Sequence, residues 1–144
     1  MLIGHQELHQ RMQQALIEAG PGPVEQFAAL IGAQVLVHTD YPLLALVANE
    51  ELHALSVERA APALALREQS RKMALRVLDP GIRSGVFAVA DVGLTAIAIG
   101  GMGIRVANWF GPDQPYTREQ VADAFTGFAL QLAGAQHPAN AQKG

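Results

Sequence analysis

The stretch TAIAIGGMGIRVANWF, residues 95–110, decides the fold because it can be interpreted as a glycine-rich phosphate loop, a membrane span or an interface helix. A dinucleotide-binding loop needs the pattern GxGxxG after a strand, and Val106 stands where the third small residue is required. A membrane span needs about 20 predominantly apolar residues, whereas the uncharged run here is bounded by Asp91 and Arg105 and is too short. The stretch is therefore predicted to be a helix of a folded domain.

The two faces of this predicted helix differ in bulk. One stripe consists of small residues, which let a neighbour approach closely, and the other consists of bulky residues that can interdigitate. Because a helix that is apolar all round must be covered all round, one side is expected to face the interior and another a second copy of the chain. Together with the last helix, the predicted dimer interface comprises Ala96, Gly100, Gly103, Ala107, Trp109, Val121, Phe125, Phe128 and Leu132. The alternative is a core helix of a monomer.

Composition places the chain among ordinary globular proteins. With 144 residues it fits one domain, and its net charge of −3 does not favour nucleic acid as a partner. The chain has no cysteine, which excludes disulfides, thiolate chemistry and cysteine-bound zinc. Its N-terminus becomes polar after four residues and does not form a signal peptide. These features predict a cytoplasmic protein that does not enter a membrane.

Helical periodicity extends over the rest of the chain. Five further helices are predicted: residues 2–19, from Pro23 to the break at Pro42, 42–55, from about Val57 to an end or kink at 79–81, and from Thr117 to Gly134. Thr117 and Gln120 form a capping box at the last helix. The predicted fold is therefore an all-α antiparallel bundle of about six helices over residues 1–134, followed by a flexible tail at 135–144.

Polar groups beside apolar stripes are the candidates for ligand binding. His38 ends the apolar stripe of the second helix, and one imidazole in an aliphatic pocket could orient a carbonyl or carboxylate; a hydrogen-bonded core histidine is the alternative. Arg105 lies within an apolar helix, so it is expected to need a partner such as Asp123, a carbonyl or an anionic ligand. The predicted ligand-binding set is Phe27, Ile31, His38, Asn49, Arg67, Ile99, Met102 and Arg105.

No group of residues predicts a catalytic or metal site. His5 and His9 have the i, i+4 spacing of a zinc pair, but HQELH is not HExxH and no third ligand is evident. The segment GIRSG, residues 81–85, misplaces the serine of a GxSxG elbow and lies at a helix end. We therefore predict no catalytic residue, metal or cofactor. Two alternatives stay open: a small metal- or cofactor-dependent helical enzyme using His5, His9 and His38, and a dimerisation module without a ligand.

The order of segments resembles one known family. The segments GHQEL, HTDYPLLALVANEELHAL and ALREQ precede RVLDPGIRSGVFAVADVGLTAIAIGGMGIRVANWFGPDQPYTREQVADAFTGFALQLAG. The last segment is the most specific: it contains Gly85, Val86 and Phe87, then Asp91, an apolar helix with Gly101 and Met102, then Trp109 and Phe110, a Gly/Pro turn, and Thr117 with Glu119. Over about residues 4–134 the chain resembles the C-terminal domain of TetR-family transcriptional regulators.

This resemblance implies an effector-binding domain that dimerises through its last two helices as a four-helix bundle. It implies a regulator, most often a repressor, whose DNA binding is controlled by a small lipophilic or aromatic effector, with an acyl thioester among the candidates. The chain departs from the family at Pro80, where a helix usually continues, and it does not contain the N-terminal helix-turn-helix domain. The segment ALIEAGPGPVEQF imitates such a motif but has two prolines in its turn and no basic residue in its second helix. DNA is therefore expected as a partner only through a domain outside this chain.

Overall fold

Six α-helices and no strand make up the part of the chain, residues 2–135, that the computed structural model describes. The helices are α1 (Leu2–Glu18), α2 (Pro23–Asp40), α3 (Pro42–Ala54), α4 (Val57–Arg83), α5 (Val92–Trp109) and α6 (Arg118–Leu132). The prediction of an all-α bundle of about six helices is confirmed. Apart from Ala135, the predicted tail at 135–144 lies outside the described residues.

Helix α2 forms the centre of the bundle. It packs against each of the other five helices, most extensively against α6 and α1. Its sequence is apolar on nearly every side, so burial on all sides is the arrangement that removes most apolar surface from water. Pro23 begins the helix, and Pro42 begins α3 directly after it, where the chain bends by 99°. The main core therefore surrounds α2.

Helix α4 continues past the predicted break at residues 79–81 and ends at Arg83. Pro80 lies inside the helix, near its end. Gly85 has a φ of 81° and closes a Schellman motif: the N–H of Val86 donates to the Gly81 carbonyl at 2.8 Å, and the N–H of Gly85 donates to that of Ile82 at 3.1 Å. The expected end is thus displaced to glycine, the residue that adopts this conformation without strain.

Side chains cap the starts of α5 and α6, and a glycine follows the end of α6. The Asp91 carboxylate accepts from the Leu94 N–H at the start of α5. Thr117 and Gln120 form the predicted capping box of α6. Gly134 follows the last helix with a φ of 65°, and the Ala88 N–H donates to the Ala133 carbonyl, which attaches the loop between α4 and α5 to the end of α6. The predicted start and end of α6 are confirmed.

An ion-pair network connects α1, α2 and α6. Asp40 accepts two hydrogen bonds from Arg118, at 2.7 and 2.8 Å, and one from Arg11 at 3.0 Å. Burial alone would raise the pKa of Asp40, but the hydrogen bonds from Arg118 and Arg11 outweigh that effect and lower it. The carboxylate therefore stays ionised and holds the two outer helices to the end of α2.

Candidate functional site

A cavity of about 450 Å³ lies between α1, α2, α4 and α5. This volume falls within the range of about 300–1,000 Å³ that is usual for small-molecule sites. Most of its wall is apolar. The lining residues are Leu8 and Met12 of α1; Phe27, Leu30, Ile31 and Gln34 of α2; Leu64, Arg67, Glu68, Ser70, Arg71, Ala74 and Leu78 of α4; and Ala96, Ile97, Ile99, Gly100, Gly101 and Ile104 of α5.

The polar lining of the cavity is concentrated on α4. Four polar side chains lie within residues 67–71, and the lining residues before and after them on this helix, Leu64, Ala74 and Leu78, are apolar. On α2, the Gln34 amide donates to the Gly100 carbonyl at 3.2 Å and thereby closes the wall between α2 and α5. The α4 wall is consequently polar over residues 67–71 and apolar over the longer stretch from Ala74 to Leu78.

The structure brings together half of the predicted ligand-binding set. Phe27, Ile31, Arg67 and Ile99 line the cavity. Met102 is partly buried against the main core but does not line the cavity. Arg105 is exposed and makes no hydrogen bond or ion pair with residues 2–135, so the expected partner is not needed: water solvates the charge. The remaining two residues, His38 and Asn49, line a second site.

That second site is a cavity of about 20 Å³ between α1, α2 and α3. His5 and His38 both border it, and the volume is sufficient for a single water molecule. The His38 Nδ1 lies 2.8 Å from the Gln34 carbonyl oxygen, as expected for a hydrogen-bonded core histidine. The His5 Nε2 is buried and has no hydrogen-bond partner within the described part of the chain, residues 2–135. His38 and Asn49 line this small cavity and not the larger one. A small organic effector does not fit here, because the cavity is too small.

Both buried histidines favour the neutral form. Burial lowers the pKa of His38 and outweighs its hydrogen bond to the Gln34 carbonyl. Burial also lowers the pKa of His5; the Ala48 backbone acts in the opposite direction, and the charge of Arg67 lowers the pKa further. Below the ordinary histidine pKa of 6.5, these two imidazoles therefore bind protons more readily in the unfolded chain than in the folded chain.

Acidification is therefore expected to destabilise the fold. The contribution of the neutral His5 and His38 rings to the free energy of unfolding is complete above pH 6.5. It is lost as the pH falls through their lower folded-state pKa values. Urea unfolding at pH 7.5, 6.5 and 5.5 should give a free energy of unfolding that decreases as the pH falls. The slope of this free energy against pH should be smaller for His38→Gln. His53→Gln, at an exposed position of α3, is the control and should keep the wild-type slope. An unchanged slope in His38→Gln would contradict this assignment.

The structure distributes the predicted dimer-interface residues over three environments. Ala96 and Gly100 face the cavity. Gly103, Ala107 and Val121 are buried within this chain, which corrects the expectation that they face a second copy. At Gly103 the neighbour is Gln34, whose Oε1 would lie 2.6 Å from an added Cβ. The small residues of α5 therefore face the cavity at Ala96 and Gly100 and the packed interior at Gly103 and Ala107.

The other predicted interface residues are accessible. Trp109, Phe128 and Leu132 are exposed, and Phe125 is partly buried. The rings of Trp109 and Phe125 are 6.1 Å apart and those of Phe125 and Phe128 are 5.7 Å apart, so aromatic contacts connect α5 to α6.

Helix α5 exposes apolar side chains that the sequence analysis did not assign to an interface. Leu94 and Ile97 are each 65% exposed, and Gly101 has no atom within 4 Å of the position of an added Cβ. We call the exposed apolar residues Leu94, Ile97, Gly101, Trp109, Phe128 and Leu132 the α5–α6 face; of these, Ile97 and Gly101 also line the cavity. The i, i+3, i+7 spacing of Leu94, Ile97 and Gly101 could have identified it, but the glycine stripe suggested the opposite side.

Helix α5 meets the length and composition criteria of a membrane span. Its 18 residues have a mean hydropathy of 1.2, and 22% of them are buried; α2 and α3 together meet the same criteria as one bent span. The stretch was expected to be too short for a membrane span because Arg105 was taken as its boundary. The helix continues past Arg105 to Trp109. The core helix of a folded domain meets these criteria as well, and α5 packs against α2, α3, α4 and α6. The absence of a membrane partner stays a prediction.

The three histidines considered for metal or catalytic chemistry do not converge. His5 borders the small cavity with His38, whereas the His9 Nδ1 lies 3.3 Å from the Ser70 hydroxyl. Among residues 2–135, no group of three histidine, aspartate or glutamate side chains has the proximity that a metal ion needs.

Comparison with known proteins identifies one family. Residues 20–133 match the family model described as the tetracyclin repressor-like C-terminal domain. No curated protein matches the chain.

Solved structures of TetR-family regulators have the same fold. A regulatory protein of this family from Rhodococcus RHA1 aligns with a TM-score of 0.86 and 26% identity, over 94% of this chain and 71% of that chain. The regulator PfmR from Thermus thermophilus aligns with a TM-score of 0.79 and 26% identity, over 90% and 70%. The ketosteroid transcriptional regulator KstR2 of Mycobacterium tuberculosis shares the fold, with a TM-score of 0.82 and 23% identity over 92% and 68%.

Proposed function

The chain belongs to the tetracyclin repressor-like C-terminal domain family, and we propose that it is the effector-sensing and dimerisation domain of a transcriptional repressor. Members of this family are non-enzymatic regulators, which overturns the alternative of a helical enzyme using His5, His9 and His38. Ligand binding coupled to allostery is the general role of the family. We expect the protein in the cytoplasm and DNA binding in a domain N-terminal to α1.

The observation that carries this proposal is the cavity of about 450 Å³ between four helices. Its apolar wall suits a small lipophilic or aromatic effector, and two of its lining residues, Leu8 and Met12, belong to α1. An effector that contacts α1 can bias the position of this helix and thereby the spacing of two DNA-binding domains in a dimer. The effector must bind the two states with different affinity, with a coupling of about 1–3 kcal/mol.

The second part of the proposal is a homodimer in which the α5–α6 face contacts its counterpart. Two-fold symmetry lets one apolar surface cover itself. Exposed apolar side chains such as Ile97 and Phe128 support this arrangement, because large apolar patches on soluble domains usually mark an interaction surface. A four-helix bundle formed by α5 and α6 of both copies would bury them.

Filling the cavity is expected to abolish ligand uptake. Gly100 lines the cavity and has no atom within 4 Å of an added Cβ, so Gly100→Leu should place its side chain in the space that a ligand would occupy. Titration of the neutral fluorescent probe N-phenyl-1-naphthylamine should show at least about tenfold weaker binding to this variant, because overfilling a site costs about 1–3 kcal/mol.

The matched control is Gly32→Leu. Gly32 is also a glycine inside a helix with open space around an added Cβ, but it does not line the cavity. This variant should bind the probe as the wild type does. If the wild-type chain dimerises but takes up no probe, the remaining alternative of a dimerisation module without a ligand is favoured. Equal probe binding by both leucine variants would place the probe outside the cavity.

A further inference from the structure

The polar part of the α4 wall, residues 67–71, contains a guanidinium that has no anionic partner among residues 2–135. Arg71 donates to Glu68 at 2.6 and 2.9 Å, so these two charges compensate each other. Arg67, which lies one turn before Arg71 on the same wall, makes no hydrogen bond or ion pair with residues 2–135. The charged lining residues therefore leave one uncompensated positive charge, and this favours a ligand with a single negative charge.

Neutral polar groups lie beside this charge. The Ser70 hydroxyl lines the cavity within one turn of Arg67 and lies 3.3 Å from the His9 Nδ1. Arg67 is also close enough to His5 for its charge to lower the pKa of that imidazole. A ligand group bound at Arg67 would consequently be adjacent to the seam between α1 and α4.

The apolar end of the cavity lies farther along α4. Arg67 and Leu78 both line it, and at about 1.5 Å per residue they are about 16 Å apart along the helix axis. Phe27, Ile31 and Ile99 supply buried apolar side chains to the same cavity. An elongated ligand with a charged head and an apolar tail matches this separation of polar and apolar walls.

We propose that the effector is an amphipathic carboxylic acid whose carboxylate binds Arg67 and whose apolar chain extends along α4 between Ile31 and Ile99. This inference rests on the proposed function, because it assigns a chemical class to the effector of the same cavity. A carboxylate matches both the single uncompensated charge and the planar, bidentate geometry that a guanidinium binds best.

The test is competition for the N-phenyl-1-naphthylamine site by decanoate, decanol and decyl phosphate, which have the same number of carbon atoms. Decanoate should displace the probe from the wild-type chain at a concentration at least about tenfold lower than decanol, as expected for a charge-assisted hydrogen bond. Arg67→Gln should remove this preference, and Arg67→Lys should retain part of it. Arg76→Gln, at an exposed position of α4 outside the cavity, is the control and should behave as the wild type.

Three outcomes would overturn the inference while leaving the cavity proposal intact: equal competition by decanol and decanoate, an unchanged preference for decanoate in Arg67→Gln, or stronger competition by decyl phosphate, which would assign a phosphate head instead. Failure of the probe itself to bind the wild-type chain would overturn the cavity proposal and this inference with it. Thermal unfolding of each variant separates a lost contact from a lost fold.

Discussion

Replacing Phe87 with alanine is expected to lower the free energy of unfolding by about 3–5 kcal/mol. The ring is 1% exposed, lies 5.7 Å from the ring of Phe27 in an edge-to-face arrangement, and belongs to the main core. Its removal leaves a cavity in the main core. Because a domain of this size is stable by only about 5–15 kcal/mol, urea unfolding should show a large decrease in midpoint.

A substitution at Gly81 tests whether the packing of the Phe87 ring against α4 contributes to the free energy of unfolding. A Cβ added at Gly81 would overlap the Phe87 ring, with Cε2 only 2.6 Å away. Gly81→Ala should therefore destabilise the wild-type chain by about 1–3 kcal/mol through overpacking. In the Phe87→Ala background the same change should cost nothing, because the ring is absent. Additive effects in this double-mutant cycle would show that the two residues do not contact each other.

Replacing Phe128 with glutamate is expected to weaken the homodimer by about 100-fold or more, because burying an unpaired carboxylate in an apolar contact costs several kcal/mol. Phe128 is 50% exposed in the single chain, so the substitution leaves the core of the domain intact. Sedimentation equilibrium across a concentration series gives the dissociation constant. Leu94→Glu, at a 65% exposed position of α5 outside the cavity, should have the same effect if both helices contribute to the interface.

Ile17→Glu is the matched control for these two variants. Ile17 is 76% exposed on α1 and lies outside the α5–α6 face, so its dimer affinity should equal that of the wild type. A wild-type chain that sediments as a monomer would overturn the proposed dimer. Unchanged affinity in both Phe128→Glu and Leu94→Glu would place the interface elsewhere on the surface.

Local chemistry made the helices predictable. Pro23 and Pro42 at helix starts, the Thr117–Gln120 capping box and Gly134 after the last turn are signals that act within one or two turns, and the structure has helix ends at each of them. A helix end at residues 79–81 was wrong, because the glycine that ends α4 is Gly85 and a proline near the end of a helix interrupts few backbone hydrogen bonds.

Hydrophobic periodicity identified which residues are apolar, but it did not identify what covers them. Phe27, Ile31 and Ile99 were assigned to a ligand site and line the larger cavity, whereas His38 and Asn49 belong to a different space on the same helix bundle. The difference depends on how α1, α3 and α4 surround α2. Such packing depends on contacts between residues far apart in the sequence, which a pattern within one helix does not contain.

The helix around residues 95–110 illustrates both cases. Its helical state follows from its own residues, because length, composition and the Asp91 cap act locally. Whether its small residues face a partner or the interior depended on Gln34 of α2, whose amide donates to the Gly100 carbonyl and whose side chain occupies the space beside Gly103. Each side of an apolar helix is covered by the element that packs against it. Because the helices assemble around α2, the glycine stripe faces inward and Leu94 and Ile97 are exposed on the outer side.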